Sequence, residues 1–236
     1  RDHTERMLAW TGVPIRREGR VTVMRGPARP RPFDLTLPGD PSAASAWLVA
    51  GALHADADIT LEAVCINPTR LALVGLLRRM GADIEVHATD EAGPELVGEI
   101  TVRGGQPLRA VSIADDEVAD LIDELPLVAI AMASCDGESE VRDAAELRVK
   151  ESDRIAAVVA GLEAIGADVN ELPDGWRVRR GRPRSARIVA HGDHRIAIAF
   201  AIAASVGLAE AVELDDPACT GVSYPGFWDD LSELTR

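Results

Sequence analysis

The segment Leu147-Arg148-Val149-Lys150-Glu151-Ser152-Asp153-Arg154 concentrates side chains able to bind anions and move protons. Among the 25 lysine and arginine residues of the chain, Lys150 is the one lysine. An ammonium is compact and can exchange its proton, whereas a guanidinium stays charged. The spacing predicts Lys150 and Arg154 at i,i+4 on one face where an amphipathic helix begins. Free N–H groups and the positive dipole end at a helix start make two such cations an anion site. Glu151 would act there as a proton carrier in a pocket that excludes water. The same residues also fit a plainer arrangement, a capped helix start with a solvated Glu151–Arg154 pair.

Two further helix starts carry similar chemistry. In Gly192-Asp193-His194-Arg195, Asp193 is placed to cap a helix, with His194 and Arg195 in its first turn. That turn suits a phosphate or carboxylate, and it equally suits a cap followed by two polar residues before the helix enters the core. Asp123 opens a third such helix, where its carboxylate could receive a proton, hold a hydroxyl or simply cap. The widely spaced Cys65, Cys135 and Cys219 fit packing or loops and reduced thiols, and the five histidines form no metal-ligand spacing.

These residues are positioned by repeated elements. Gly81-Ala82-Asp83 and Gly166-Ala167-Asp168 each end an amphipathic helix and lead into a β-like run. The first helix carries Leu71, Val74, Leu76, Leu77 and Met80 on its apolar face; the second carries Ile155, Val158, Val159, Leu162 and Ile165. A second unit, an acidic residue followed by an alanine-rich helix, starts at Asp40, Asp123 and Asp193. Beyond their first turns these three helices are apolar nearly all round, which predicts burial. The order strand, buried helix, strand, amphipathic helix, two strands recurs about three times. Three such units round shared inner helices make one α/β lobe with sheets outside, and a pseudo-threefold arrangement points the helix starts to one face.

Residues 1–36 differ. One helix pattern, the strand Val21-Thr22-Val23-Met24 and the proline- and arginine-rich Arg25-Gly26-Pro27-Ala28-Arg29-Pro30-Arg31-Pro32 are too little to fold alone. They read as the trailing end of an absent preceding domain plus a linker, with residues 37–236 as the lobe. The chain opens on Arg1 without an initiator methionine, so a fragment is expected.

Composition narrows the classes. With 236 residues, 47% hydrophobic and 27% charged, the chain has material for a sizeable core. No apolar run approaches about 18 residues, which argues against a membrane span. A formal charge of −14 and 3% aromatic content argue against a nucleic-acid partner. A cytoplasmic location is the expectation from the widely spaced, unpaired cysteines, and no charged-then-apolar leader suggests secretion.

Taken together, the motifs resemble the 5-enolpyruvylshikimate-3-phosphate synthases. The resemblance covers essentially the whole chain: Arg1 to Leu8, Pro38 to Ala44, Asn67 to Arg70, Ile122 to Pro126, Leu147 to Arg154, Gly192 to Arg195 and Ser223 to Phe227. It implies an enolpyruvyl transferase fold of two lobes, each an inside-out α/β barrel of three βαβαββ units, with substrates bound in the cleft between the lobes. It also implies a reaction in which the 5-hydroxyl of shikimate 3-phosphate attacks C2 of phosphoenolpyruvate as C3 is protonated. Loss of phosphate from the tetrahedral intermediate then gives the enolpyruvyl ether, with neither metal nor organic cofactor.

By the same resemblance, Asp123 contacts the shikimate hydroxyls and is a candidate base. Lys150 touches the target hydroxyl and the phosphate region, and Glu151 shuttles the proton. Arg154 and Arg195 hold phosphoenolpyruvate with His194 nearby, and Arg1 meets the phosphate of shikimate 3-phosphate. The first-lobe motifs of the family are absent, so the chain reads as the C-terminal half, with the missing N-terminal lobe as its partner and little activity expected alone. Some members carry a lysine near the C-terminus where this chain has Val222. The alternatives are a UDP-N-acetylglucosamine enolpyruvyl transferase, which fits Leu147 to Arg154 and Asp193 to Arg195 less well, and a non-catalytic anion-binding module. An RNA-processing cyclase of related fold is disfavoured by the charge and the scarce aromatics.

Overall fold

A computed structural model describes residues 1–19 and 21–235. The chain runs α1 (His3–Trp10), β1 (Ile15–Glu18), β2 (Val21–Met24), α2 (Pro41–Leu53), β3 (Asp58–Cys65), α3 (Ala72–Met80), β4 (Asp83–Ala92) and β5 (Glu95–Arg103). It continues with β6 (Ser112–Ile113), α4 (Asp116–Leu121), α5 (Leu125–Ser134), β7 (Glu138–Val141), α6 (Arg154–Ala164), β8 (Asp168–Leu172) and β9 (Gly175–Arg179). The last elements are β10 (Ser185–Ile188), α7 (His194–Ser205), β11 (Ala211–Leu214) and α8 (Phe227–Leu234).

The three alanine-rich helices α2, α5 and α7 pack on one another at the centre. In α5 every residue from Leu125 to Ala133 is buried, and α7 is buried from Ile196 to Ala203. Small side chains on all faces allow the close approach that three mutually packed helices require. The amphipathic α3 and α6 bury one face each, through Leu76, Leu77 and Met80 and through Ile155, Val158 and Leu162.

The sheets lie outside this helical centre. The strands β3-β5-β4 form an antiparallel sheet, β6-β7-β9-β8 a mixed sheet, and β10-β11 and β1-β2 two-stranded pairs. Among the described residues no sheet closes into a barrel. The repeat is visible at the two Gly-Ala-Asp motifs. Gly81 and Gly166 both adopt positive φ, 109° and 99°, the first directly after α3 and the second with Ile165 between it and the end of α6. That left-handed turn favours glycine, and at Gly166 a Cβ would also meet the carbonyl oxygen of Arg182. The aspartates that follow, Asp83 and Asp168, begin β4 and β8, and each strand pairs antiparallel with the next.

Residues 1–36 contribute little to the core. Helix α1 has no buried residue, and Met7, Trp10, Val21, Val23, Met24 and Phe33 are exposed. Among the described residues no helix is long and apolar enough to cross a membrane.

Candidate active site

The first turns of the three central helices converge on one pocket. Its lining includes Ser42 and Ala43 from α2, Asp123, Pro126 and Leu127 at α5, and His194, Arg195 and Ile198 from α7. Each start has a local cause. Asp40 caps α2 by accepting from the Ser42 N–H at 3.0 Å, with Pro41 in the first turn. Asp193 caps α7 by accepting from the Arg195 N–H, also at 3.0 Å. At α5 the cap position is Glu124, whose side chain makes no capping bond. Asp123 therefore caps nothing and leaves its carboxylate free for other work.

Three guanidinium groups surround that carboxylate. Arg1 Nη2 lies 3.6 Å from Asp123, Arg154 Nη1 3.7 Å and Arg195 Nη2 3.8 Å. These separations are ion pairs rather than close hydrogen bonds, so a ligand hydroxyl can still reach the Asp123 oxygens. Arg195 is held on the backbone instead, with Nη1 donating to the Asp123 carbonyl at 2.8 Å.

Arg154 is the most constrained cation of the group. Its side chain is 1% exposed, Nε donates to Asp193 at 2.8 Å and Nη2 donates to Glu151 at 2.5 Å. Nη1 is buried without a hydrogen-bond partner. A buried donor with no acceptor is costly and marks a place where an anionic acceptor fits. Burial alone would raise the Asp193 carboxyl, but the hydrogen bond and charge of Arg154, with donors on Arg195 N and Ser152, outweigh it and hold the pKa below the ordinary carboxylate value. Burial and then the charge of Arg195 push His194 below its ordinary imidazole value. A neutral His194 can donate one hydrogen bond without adding charge.

Lys150 stands differently from the i,i+4 expectation. Helix α6 begins only at Arg154, capped by Asp153, and Lys150 has extended backbone angles after a 3-10 turn over Ala145–Val149. Lys150 and Arg154 therefore do not share a helix face. The ammonium pairs with Glu146 at 2.8 Å. The loop is anchored by Arg148, which donates to Asp153, to Glu171 and to the carbonyls of Leu172 and Pro173. The Glu151–Arg154 pair exists, yet its arginine is buried rather than solvated.

The structure thus brings together Asp123, Arg1, Arg154, Arg195, Glu151 and His194, and pairs Lys150 with Glu146. It also adds residues missed from the sequence. Ser42 donates to the buried Glu124 at 2.6 Å and accepts from Arg70 at 2.8 Å, while Arg70 also reaches Asp40 at 3.1 Å. Their signal was available in Asp40-Pro41-Ser42, the opening of the first alanine-rich repeat. Tyr224 closes another side, where burial and Asp230 push its phenol up to about 12. Among the described residues, the one group of three ligand types with close donor atoms is His3, Cys65 and Glu95, which shares no residue with this pocket.

Comparison with known proteins decides the family. Residues 1–231 match the model of EPSP synthase (3-phosphoshikimate 1-carboxyvinyltransferase). The chain belongs to the EPSP synthase family. Similar relatives include the 3-phosphoshikimate 1-carboxyvinyltransferases of Roseiflexus sp. (strain RS-1), 47% identical over 240 residues, and Gloeobacter violaceus (strain ATCC 29082 / PCC 7421), 42% identical over 237 residues. Both alignments take in 100% of this chain but 55% and 54% of the relative. The chain spans about half the length of the curated relatives it matches. EPSP synthase from Acinetobacter baumannii superposes with a TM-score of 0.89 at 34% identity, over 99% of this chain and 54% of the other. The enolpyruvyl transferase NikO from Streptomyces tendae, at 23% identity and a TM-score of 0.73, shares the fold.

Proposed function

We propose that this chain is the second, C-terminal lobe of an enzyme transferring the enolpyruvyl group of phosphoenolpyruvate to the 5-hydroxyl of shikimate 3-phosphate. Residues 1–36 are the trailing segment of a first lobe plus a linker, and residues 37–236 form the second lobe. Exposure of Trp10, Val21, Met24 and Phe33 supports this division, because an apolar set of this kind needs a covering partner. The reading carries with it a cytoplasmic location, in keeping with three cysteines that form no disulfide.

The observation that carries the reaction is Asp123 set among Arg1, Arg154 and Arg195 where helix starts converge. Two anionic substrates need fixed cations and N–H donors, and these residues supply them. The unpartnered Arg154 Nη1, Arg195 and neutral His194 hold phosphoenolpyruvate. Arg1 meets the phosphate of shikimate 3-phosphate. Asp123 orients the attacking hydroxyl and accepts its proton, which needs a carboxylate within hydrogen-bond reach. Lys150, released from Glu146, neutralises charge at the hydroxyl and phosphate, and Glu151 carries the proton at C3. These steps require charges positioned before reaction, the arrangement that lowers barriers most.

In the isolated lobe most of these cations already face carboxylates: Arg154 faces Asp193 and Glu151, and Lys150 faces Glu146. Substrate affinity is therefore weak without the first lobe. The test is phosphate release from phosphoenolpyruvate and shikimate 3-phosphate, with the chain alone and with a first lobe supplied. Turnover only in the second case is expected. Substantial turnover by the chain alone, or turnover with UDP-N-acetylglucosamine instead of shikimate 3-phosphate, overturns the proposal.

A further inference from the structure

Outside the pocket, three side chains of metal-ligating type meet at one end of the β3-β5-β4 sheet. Cys65 ends β3 and pairs across the ladder with Val97 of β5. Glu95 lies two residues before Val97, so strand alternation puts it on the same face as Cys65, one diagonal step away. Cys65 Sγ lies 3.9 Å from Glu95 Oε2. His3, from the first turn of α1, closes the group with Nδ1 2.7 Å from Glu95 Oε1. One donor atom from each of the three lies within 4.8 Å of the others.

One feature of the surroundings points to a ligand. The amide of Asn67, fully buried, donates to Glu95 at 3.0 Å and to Asp2 at 2.8 Å. Its oxygen accepts from the Thr69 N–H and hydroxyl, both at 2.9 Å, which fixes the amide orientation. Ligating carboxylates are characteristically oriented by such outer donors. His3 Nε2, in turn, is buried and has no hydrogen-bond partner. Nε2 points away from Nδ1, the nitrogen that faces Glu95, so the ring meets the donor group through Nδ1 and Nε2 lies outside it.

We propose that His3, Cys65 and Glu95 form a Zn²⁺ site that fastens α1 to the β3-β5-β4 sheet. An imidazole nitrogen, a thiolate and a carboxylate oxygen make a borderline-soft donor set, which suits Zn²⁺ and disfavours Mg²⁺ and Ca²⁺. Zinc bonds of about 2.0–2.3 Å give tetrahedral edges of about 3.3–3.8 Å. His3 Nδ1 lies 2.7 Å from Glu95 Oε1 and Cys65 Sγ 3.9 Å from Oε2, so one carboxylate oxygen must turn between them and the His3–Glu95 hydrogen bond opens as the ion replaces it. The Cys65 thiol loses its proton to solvent on binding, and a water takes the fourth position. Because Arg1 is two residues from His3, the ion would also hold Arg1 beside Asp123.

Co²⁺ alone, titrated into the metal-free chain, is the probe. A thiolate-to-cobalt charge-transfer band saturating at one equivalent is expected, bleached by subsequent Zn²⁺. Cys65→Ser should abolish the band, while the Cys135→Ser Cys219→Ser double variant keeps it. His3→Ala should weaken Co²⁺ binding by more than about tenfold. X-ray absorption of the Zn²⁺-loaded double variant needs no change at the site, and should show one sulfur at about 2.3 Å among nitrogen and oxygen neighbours. No band in the parent chain, a band that survives Cys65→Ser in a folded variant, or a zinc shell without sulfur overturns the proposal.

Discussion

Arg154 and Asp193 form a buried ion pair between the first residue of α6 and the cap of α7, Nε to Oδ2 at 2.8 Å. One contact therefore ties an outer amphipathic helix to a central one and aims Nη1 of the same guanidinium towards Asp123. The pair couples stability to the site: whatever disturbs Asp193 also moves the donor placed for an anion.

Breaking the pair from the carboxylate side should be severe. Asp193→Ala strips the buried guanidinium of its fully buried partner, leaving it the half-exposed Glu151 and the more distant Asp123, and is expected to cost about 3–5 kcal/mol in urea unfolding. The Arg154→Met Asp193→Leu double variant should recover much of that loss, since a buried pair replaced by apolar groups is often near neutral. Asp193 also sets an acid limit. Its folded-state pKa lies below the ordinary 3.8, so its stabilisation is complete above that value and is lost as pH falls through the lowered one. A single Asp193→Ala variant as stable as the parent would contradict the role given to the pair.

His194 gives a second pH dependence, nearer neutrality. Burial and Arg195 depress its folded-state pKa below 6.5, so the unfolded chain takes up the proton first. Its contribution is present above 6.5 and is lost as pH falls towards the depressed value. His194→Gln should flatten the slope of unfolding free energy between about pH 7 and pH 5. On the proposed function phosphoenolpyruvate binds beside His194 and should raise the imidazole pKa in an NMR titration, and a value unmoved at saturating ligand would remove His194 from the anion site.

Much of this architecture is legible in the sequence, because the signals are local and repeated. All-round apolar runs after Asp40, Asp123 and Asp193 predict the buried α2, α5 and α7, and two Gly-Ala-Asp motifs fix the ends of α3 and α6. Periodicity misleads at Lys150, because a helical count cannot register the 3-10 turn and extended residue before Asp153. Ser42, Glu124 and Arg70 escape for another reason. Asp40-Pro41-Ser42 marks one end of their network, but the network spans residues 42 to 124, and its long-range pairing with Glu124 and Arg70 leaves no spacing to read. The meeting of His3, Cys65 and Glu95 is hidden in the same way, since it depends on the β3–β5 register and the docking of α1.

Packing between α6 and α7 is tight enough to test with one methyl group. A Cβ at Gly161 would lie 2.1 Å from the ring edge of Phe200, which is fully buried. Gly161→Ala gains helix propensity, yet it forces the fully buried ring to shift. A net loss of about 1–3 kcal/mol is expected from overpacking. Gly161→Ala with Phe200→Leu should regain part of it, and a single variant more stable than the parent would show that the ring yields freely.

Arg148 decides whether the loop carrying Lys150 and Glu151 has one shape. Its guanidinium bonds both oxygens of Asp153, Glu171 and two carbonyls of the β8–β9 connection, using every donor direction it has. Arg148→Ala should cost about 1–3 kcal/mol and speed hydrogen exchange from residues 146 to 152 more than elsewhere. Arg148→Lys keeps the charge but cannot reproduce the planar fork, so its exchange should resemble alanine more than arginine. On the proposed function, which puts Lys150 and Glu151 at the reacting atoms, the same variants in a complete two-lobed enzyme should lower kcat more than they raise KM. Exchange rates across 146 to 152 that match the parent would mean that the loop is held by its own backbone turn, and that Arg148 is not a positioning residue.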